Sequence, residues 1–197
     1  MAKRRVESME ENRARLLHAA RRAFAAKGYG DAVMDDFAAE AGLTRGALYH
    51  SFGDKRGLFA AVVGQIDGEM AARAKAVGAR AGDGFAALVA EGAAYIEMAL
   101  DPEVQRIVLL DGPAVLGDPS KWPSQNACLE ETRRAVERLM ADGVLKPVDL
   151  DAAARLLTGA ALTAALWVAA GDDPGSRLPK AVEAFRCLSE GLLAPSR

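Results

Sequence analysis

Apolar positions along this chain recur at the spacing of an α-helix almost throughout. Leu16, Leu17, Ala20, Ala23 and Phe24 share one face of the first long segment, with Arg13, Arg15, Arg21 and Arg22 around them. Ser8-Met9-Glu10-Glu11 has the form of a capping box, which predicts a helix start at Ser8, and Gly28 is expected to end that helix as a left-handed cap. Met1 to Val6 lacks periodicity and reads as a disordered basic tail. Two short helical pieces follow, Met34 to Ala41 and Thr44 to His50, separated by Gly42-Leu43. Asp54 then caps a longer helix that runs into the eighties and stops at Gly82-Asp83-Gly84.

The second half continues in the same period. Phe85 to Leu100 is amphipathic, and Asp101-Pro102 stops that helix and starts another. Gly112-Pro113 and Gly117 to Pro123 read as loops, and Gln125 to Ala141 as helix. Asp149 or Asp151 opens an Ala-rich helix to Ala170, Gly171 to Gly175 is a turn, and Leu178 to Leu193 is the last helix. No segment alternates like a strand and no repeat is present, so the fold class is all-α. Composition agrees: alanine dominates and aromatics are only 6%, a mix that favours helices over strands.

Charge sharpens this picture. The formal net charge of −2 conceals an asymmetry: residues 1–56 hold eleven Lys/Arg against eight Asp/Glu, whereas the remainder holds fourteen against nineteen. A basic head on an acidic body points to a polyanionic partner for the head. Cys128 and Cys187 both fall in helical segments, and no signal-like N-terminus precedes them, so a reduced, cytoplasmic protein is expected. The longest uncharged stretch, Leu156 to Gly171, falls short of the ~20 apolar residues that a span requires, and no membrane partner is read.

The most informative stretch runs from Gly28 to Phe59. A helix-turn-helix needs two short helices crossing steeply, which restricts particular positions. Ala38 is small where the helices approach, Gly42 suits a turn with positive φ, and Phe37, Ala41, Leu43 and Leu48 supply a shared core. Thr44 caps the second helix and leaves its first turn free for a groove. Asp36-Phe37-Ala38, Ala41-Gly42-Leu43-Thr44, Leu48-Tyr49-His50-Ser51-Phe52, Lys55 and Leu58 follow without a gap. This pattern resembles the DNA-binding domain of the TetR family of bacterial regulators. One departure lies at Ala32-Val33, where that family often has Thr or Ser before the first short helix. Asp31 or Asp35 would have to substitute as cap, or the helix start is looser.

The resemblance implies residue roles. Thr44, Arg45 and Gly46 would open the recognition helix with Ala47 beside them, and Arg45, its one long donor, would read a base edge. Tyr49, His50 and Lys55 would hold phosphates, and Phe52 would anchor the core. It also extends to the body through Tyr95 to Gly117 and the helix order after it. About nine helices are implied: an N-terminal three-helix helix-turn-helix domain over 1–56 and a helical ligand-binding and dimerisation domain over 57–197. The last two helices would form a four-helix bundle with their twofold mate. Gly159, Ala160, Thr163, Ala164 and Trp167 make a small-residue face that fits such an interface, joined by Val182 and Phe185.

A small-molecule pocket between the long body helices is implied in the same way. Its candidate walls are Phe85, Leu88, Tyr95, Met98, Leu109, Leu110, Trp122 and Trp167, each of which fits an ordinary core equally well. Enzyme chemistry finds no footing. His18 and His50 both fall in the head, no metal-spaced cluster or nucleophile-base set exists, and Gly28-Tyr29-Gly30 lacks the third glycine of a dinucleotide loop. No cofactor and no metal are expected. The expected function is a DNA-binding regulator, with repression of a palindromic operator and release by a small molecule as the family default. The competing reading is a helical ligand-binding or scaffolding protein without regulatory DNA binding.

Overall fold

A computed structural model describes the backbone of residues 2–195 and the side chains of residues 9–195. The described residues form nine α-helices, joined by two 3-10 turns and one π-helical segment. The first helix, α1 (Ala2–Asp31), runs straight through Ser8, so the capping box does not start it and the tail from Ala2 onward is helical rather than disordered. Lys3, Arg4, Arg5, Val6 and Glu7 include no helix breaker, and each residue added to an existing helix gains a hydrogen bond. The Ser8 side chain itself lies outside the described atoms, as does Met1. At Gly28 (φ 76°, ψ 173°) α1 is kinked, and Tyr29 to Asp31 form one further turn beyond it.

α2 (Met34–Glu40), α3 (Arg45–Phe52) and α4 (Lys55–Arg80) complete the head around one aromatic centre. The Phe24 ring meets Phe59 edge-on at 5.0 Å and Phe37 at 5.3 Å, which joins α1, α4 and α2. Such pairs contribute beyond the area they bury. α2 starts without a side-chain cap: Val33 is extended and 52% exposed, and Asp35 and Asp36 in the first turn interact with the helix dipole instead. Val33→Thr is therefore expected to stabilise the head by about 1 kcal/mol, read as a raised midpoint in urea unfolding; an unchanged midpoint would show that the acidic first turn already satisfies this helix end.

The body comprises α5 (Gly84–Glu97), a 3-10 turn at Met98–Leu100, a π-helical segment at Val104–Asp111, α6 (Gly112–Leu116), a second 3-10 turn at Pro119–Lys121, α7 (Pro123–Ala141), α8 (Leu150–Ala169) and α9 (Pro174–Glu190). Gly112-Pro113 is thus helical rather than a loop, because proline in a first turn forfeits no hydrogen bond. The same reason starts α9 at Pro174 instead of Leu178: Pro174 sits in the first turn and Asp173 caps it, accepting from the Ser176 amide at 3.2 Å. The chain leaves α9 at Glu190, and Leu193 makes a single antiparallel bridge to Leu145.

α8 packs on α5, α7 and α9 at the centre of the body. It is twenty residues long with a mean hydropathy of 1.5, so by length and composition alone it could cross a membrane, contrary to expectation. Its apolarity is used for packing: Ala153, Ala154, Leu157, Ala161, Ala165 and Val168 form a continuous buried stripe.

Candidate nucleic-acid interface and ligand cavity

The turn between α2 and α3 is built as its residues demand. Gly42 has φ 62°, and the Leu43 amide donates to the Ala38 carbonyl at 2.9 Å while the Gly42 amide donates to Ala39 at 3.0 Å, which closes the end of α2. Phe37, Ala38, Ala41 and Leu48 are buried beneath. Thr44 caps α3, its hydroxyl accepting from the Ala47 amide at 3.2 Å. Arg13 of α1 braces the far end, donating to the Ser51 carbonyl at 2.8 Å with its guanidinium over the Phe52 ring at 4.2 Å.

This scaffold leaves Thr44, Arg45, Gly46, Tyr49 and His50 exposed and Ala47 half-buried. Arg45 lies along α3, 5.2 Å over the Tyr49 ring, with one nitrogen 3.2 Å from the Tyr49 hydroxyl and the other 3.3 Å from the Asp35 carboxylate. It is held by neighbours that a base or phosphate edge could replace. Lys55 is half-buried, donating to the Gly30 carbonyl at 3.1 Å above the Tyr29 ring, so only part of its donor capacity faces outward.

Three connections tie this head to the body. α4 spans both, and Arg56 in its first turn donates to the Val115 carbonyl of α6 at 3.2 Å. The third is the π-helical segment, a rare geometry that concentrates at functional places. Arg21 of α1 makes bidentate pairs with Glu69 of α4 (2.8 and 2.9 Å) and with Glu103 before the segment (2.7 and 2.6 Å). Glu103 first and Glu69 second push the guanidinium far above any accessible pKa, and Arg21 in turn lowers the Glu69 carboxyl. A carboxyl depressed in the folded state stabilises above its unfolded pKa, so the Glu69 part of this clamp is lost only as pH falls through and below the ordinary carboxylate range. At the other end Asp111 accepts from the Tyr29 amide at 2.8 Å and pairs with Arg106 at 3.4 Å, and Arg106 donates to the Lys27 carbonyl at 3.3 Å.

Among α4, α5, α7 and α8 lies a cavity of about 50 Å³, bordered by Phe185 of α9. Leu88 and Tyr95 line it as expected from their positions, together with Glu91, Gln125, Cys128, Thr132, Leu157, Thr158 and Ala161. The other candidate wall residues lie elsewhere. Met98 and Leu109 are buried in the main core, Trp122 covers Gly112 in α6, and Phe85 packs against a smaller cluster with Leu139 and Leu157. Leu110 and Trp167 are exposed. Helical periodicity marks a buried face but not whether that face meets a neighbour or a void.

Behind the cavity the buried Asp67 carboxylate accepts from the Gln125 amide nitrogen at 3.1 and 3.3 Å, and that nitrogen is also 3.2 Å from the Tyr95 hydroxyl. Burial, followed by the charge of Asp67, pushes the Tyr95 phenol above its usual range. Burial, then Glu91, pushes the Cys128 thiol up to about 11, which favours the neutral thiol over the thiolate. The Glu91 carboxyl is raised, by burial first and the charge of Glu131 second, with Lys75 opposing.

The comparisons with known proteins bear on both halves. Residues 16–62 match the family described as bacterial regulatory proteins, tetR family, and residues 85–192 match the tetracyclin repressor-like C-terminal domain. A crystal structure of a TetR-family transcriptional regulator from Pectobacterium atrosepticum is 48% identical, with a TM-score of 0.87, over 97% of this chain and 98% of that one. The chain belongs to the TetR family. The HTH-type transcriptional regulator SrpR of Pseudomonas putida is 41% identical over 63 residues, which cover 32% of this chain and only 30% of SrpR. A putative transcriptional regulator from Rhodococcus sp. RHA1 shares the fold at 20% identity, with a TM-score of 0.71 over 91% of this chain and 95% of that one. TetR-family members are DNA-binding transcriptional regulators with ligand-binding C-terminal domains, a family of regulators rather than of enzymes.

One further surface of this TetR regulator stands out. Thr163 and Trp167 are exposed along α8, and Gly159, Ala160 and Ala164 are half-buried between them. All but Gly159 border an apolar groove between α8 and α9 that Leu188 and Ala184 also line. Leu156 and Leu188, 73% and 66% exposed, extend the same apolar surface, and periodicity alone did not single them out from buried leucines. Val182 is half-buried, and Phe185, 4% exposed, is a core residue that borders both the cavity and the outer groove.

Proposed function

We propose that this protein is a cytoplasmic homodimeric repressor that binds a palindromic operator and leaves it when a small molecule fills the body cavity. The observation that carries this reading is the exposed face of α3, where Arg45, Tyr49 and His50 stand over a rigid, capped scaffold. Residues 1–56 act as the reading head, and residues 57–197 sense the ligand and dimerise. Thr44, Gly46 and Ala47 allow close approach to DNA, Arg45 reads a base edge, and Tyr49, His50 and Lys55 hold phosphates. The apolar surface of α8 and α9 fits a twofold mate: a soluble chain rarely leaves so many large apolar side chains together without a partner.

Ligand release is read as a change in the spacing of the two heads, which must match one turn of DNA, about 34–36 Å, or a multiple of it. Filling the cavity would move α4, whose first turn lies in the head, while the Arg21 clamp makes α1 follow the π-helical segment. The test is fluorescence anisotropy with DNA from upstream of the protein's own gene at several salt concentrations. Tyr49→Phe with Lys55→Ala is expected to weaken operator and nonspecific binding alike, and to reduce the salt slope by about one unit for the lost cation. A collapse of operator preference with nonspecific affinity intact would remove both residues from the phosphate role. The absence of any sequence-selective shift in the wild type would favour a scaffolding protein instead.

A further inference from the structure

We propose that the body cavity takes a lipophilic organic cation, a quaternary or protonated amine carrying an apolar group, with Glu91 and Asp67 as its counter-charges. This inference rests on the cavity being the ligand site. The cavity walls contain one carboxyl group, Glu91, and no Lys, Arg or His. A second carboxylate, Asp67, lies one layer behind, 2% exposed, and its partners are neutral, the Gln125 amide and the Tyr95 phenol. Its charge is felt at both Tyr95 and Cys128 in the wall. A buried carboxylate is normally matched by a cation, and here the protein supplies none.

The nearest basic side chains line the neighbouring groove rather than the cavity, and of them Lys75 also acts on Glu91 from that side. Lys75 pairs with Glu131 at 3.0 Å and Arg134 with Glu130 at 3.3 Å, and both border an open groove that shares Leu88, Glu91 and Thr132 with the cavity. Arg138 also borders that groove and is absent from the cavity walls. Glu91 therefore stands where the groove meets the cavity, at the threshold of the site. An anionic ligand would lie between two carboxylates at low dielectric, and a neutral one would leave Asp67 unmatched. The remaining walls suit the apolar part of an amphiphilic cation: Leu88, Leu157 and Ala161 are aliphatic, and the rings of Tyr95 and Phe185 attract cations through their π-faces.

At about 50 Å³ the cavity holds little more than water, so uptake has to displace a wall. Phe185 is the wall shared with the outer groove of α8 and α9, and its ring rests directly on Gly92 of α5. An incoming cation that moves this ring acts on the surface assigned to the second subunit.

The test uses the wild-type protein and three probes of matched shape: benzyltrimethylammonium, its neutral carbon isostere neopentylbenzene, and phenylmethanesulfonate. Calorimetry and thermal shift are expected to rank the cation first and the sulfonate last. Glu91→Gln and Asp67→Asn, each nearly isosteric, are expected to weaken the cation by about tenfold and leave neopentylbenzene unchanged. Equal binding of cation and isostere in all three proteins overturns the charge class while the cavity remains the ligand site, and so does failure of the cation to bind the wild type. Ala161→Phe fills the cavity and is expected to abolish binding of every probe. Probe binding that survives in Ala161→Phe places the site elsewhere and overturns both readings.

Discussion

Leu188→Glu, and independently Leu156→Glu, are expected to leave the subunit folded, split the dimer and weaken operator binding by about 100-fold or more. In the single subunit these side chains are 66% and 73% exposed, so a carboxylate there is solvated and the fold tolerates it. Against a twofold mate the same carboxylate is introduced twice into an apolar contact with no cation opposite. An unmatched charge buried in that way costs roughly 3–5 kcal/mol, enough to dissociate an interface of ordinary size. A single head then loses the effective concentration that its linked partner supplies. Sedimentation at matched concentration, far-UV circular dichroism and an operator titration together separate the outcomes. A folded mutant that stays dimeric with wild-type operator affinity would place the interface on another surface.

The second large effect is expected at Arg45, where alanine should lower discrimination between operator and random DNA by roughly 10- to 100-fold, the range of one bidentate base contact. Without DNA the guanidinium is held against Tyr49 and Asp35 in a loose, solvated arrangement, so the side chain is already extended along the recognition helix. No other long donor occupies α3, and Gly46 and Ala47 beside it leave room for a groove edge. Binding-site selection on Arg45→Ala should show one position per half-site losing its preference while nonspecific affinity changes much less. Unchanged preference at every position would remove Arg45 from base reading and leave specificity to DNA shape.

Both experiments draw on features that differ in how they could be recognised. The head was legible because its constraints are local. Phe37, Ala38, Gly42, Thr44 and Leu48 lie within twelve residues, and each answers a demand of one short turn between two crossing helices: a small contact, a positive φ, a cap or a buried anchor. The missing cap at Val33 was legible for the same reason, because a cap depends on one residue and its neighbours along the chain. Helix boundaries were read less well where proline was taken as a stop. Pro113 and Pro174 each begin a helix, since proline opposes a helix interior but not its first turn.

The sequence by itself determined the all-α class, the crossing helices of the head, the small-residue face of α8 and the basic-to-acidic gradient, because each follows from periodicity or from residue type at short range. The tertiary structure alone decided which apolar stripe meets a void, and that Phe185 stands between the two, bordering the cavity with Leu157 and the outer groove with Leu188. It also decided that Asp67, Tyr95 and Gln125 form one buried group, and that Arg21 clasps Glu69 and Glu103 across the head–body junction. Those partners stand 30 to 82 residues apart in the chain. A carboxylate, a phenol and an amide carry no mark of their partners in their own sequence neighbourhood; only the packing of distant helices brings them together, and with them the charge and shape of the site.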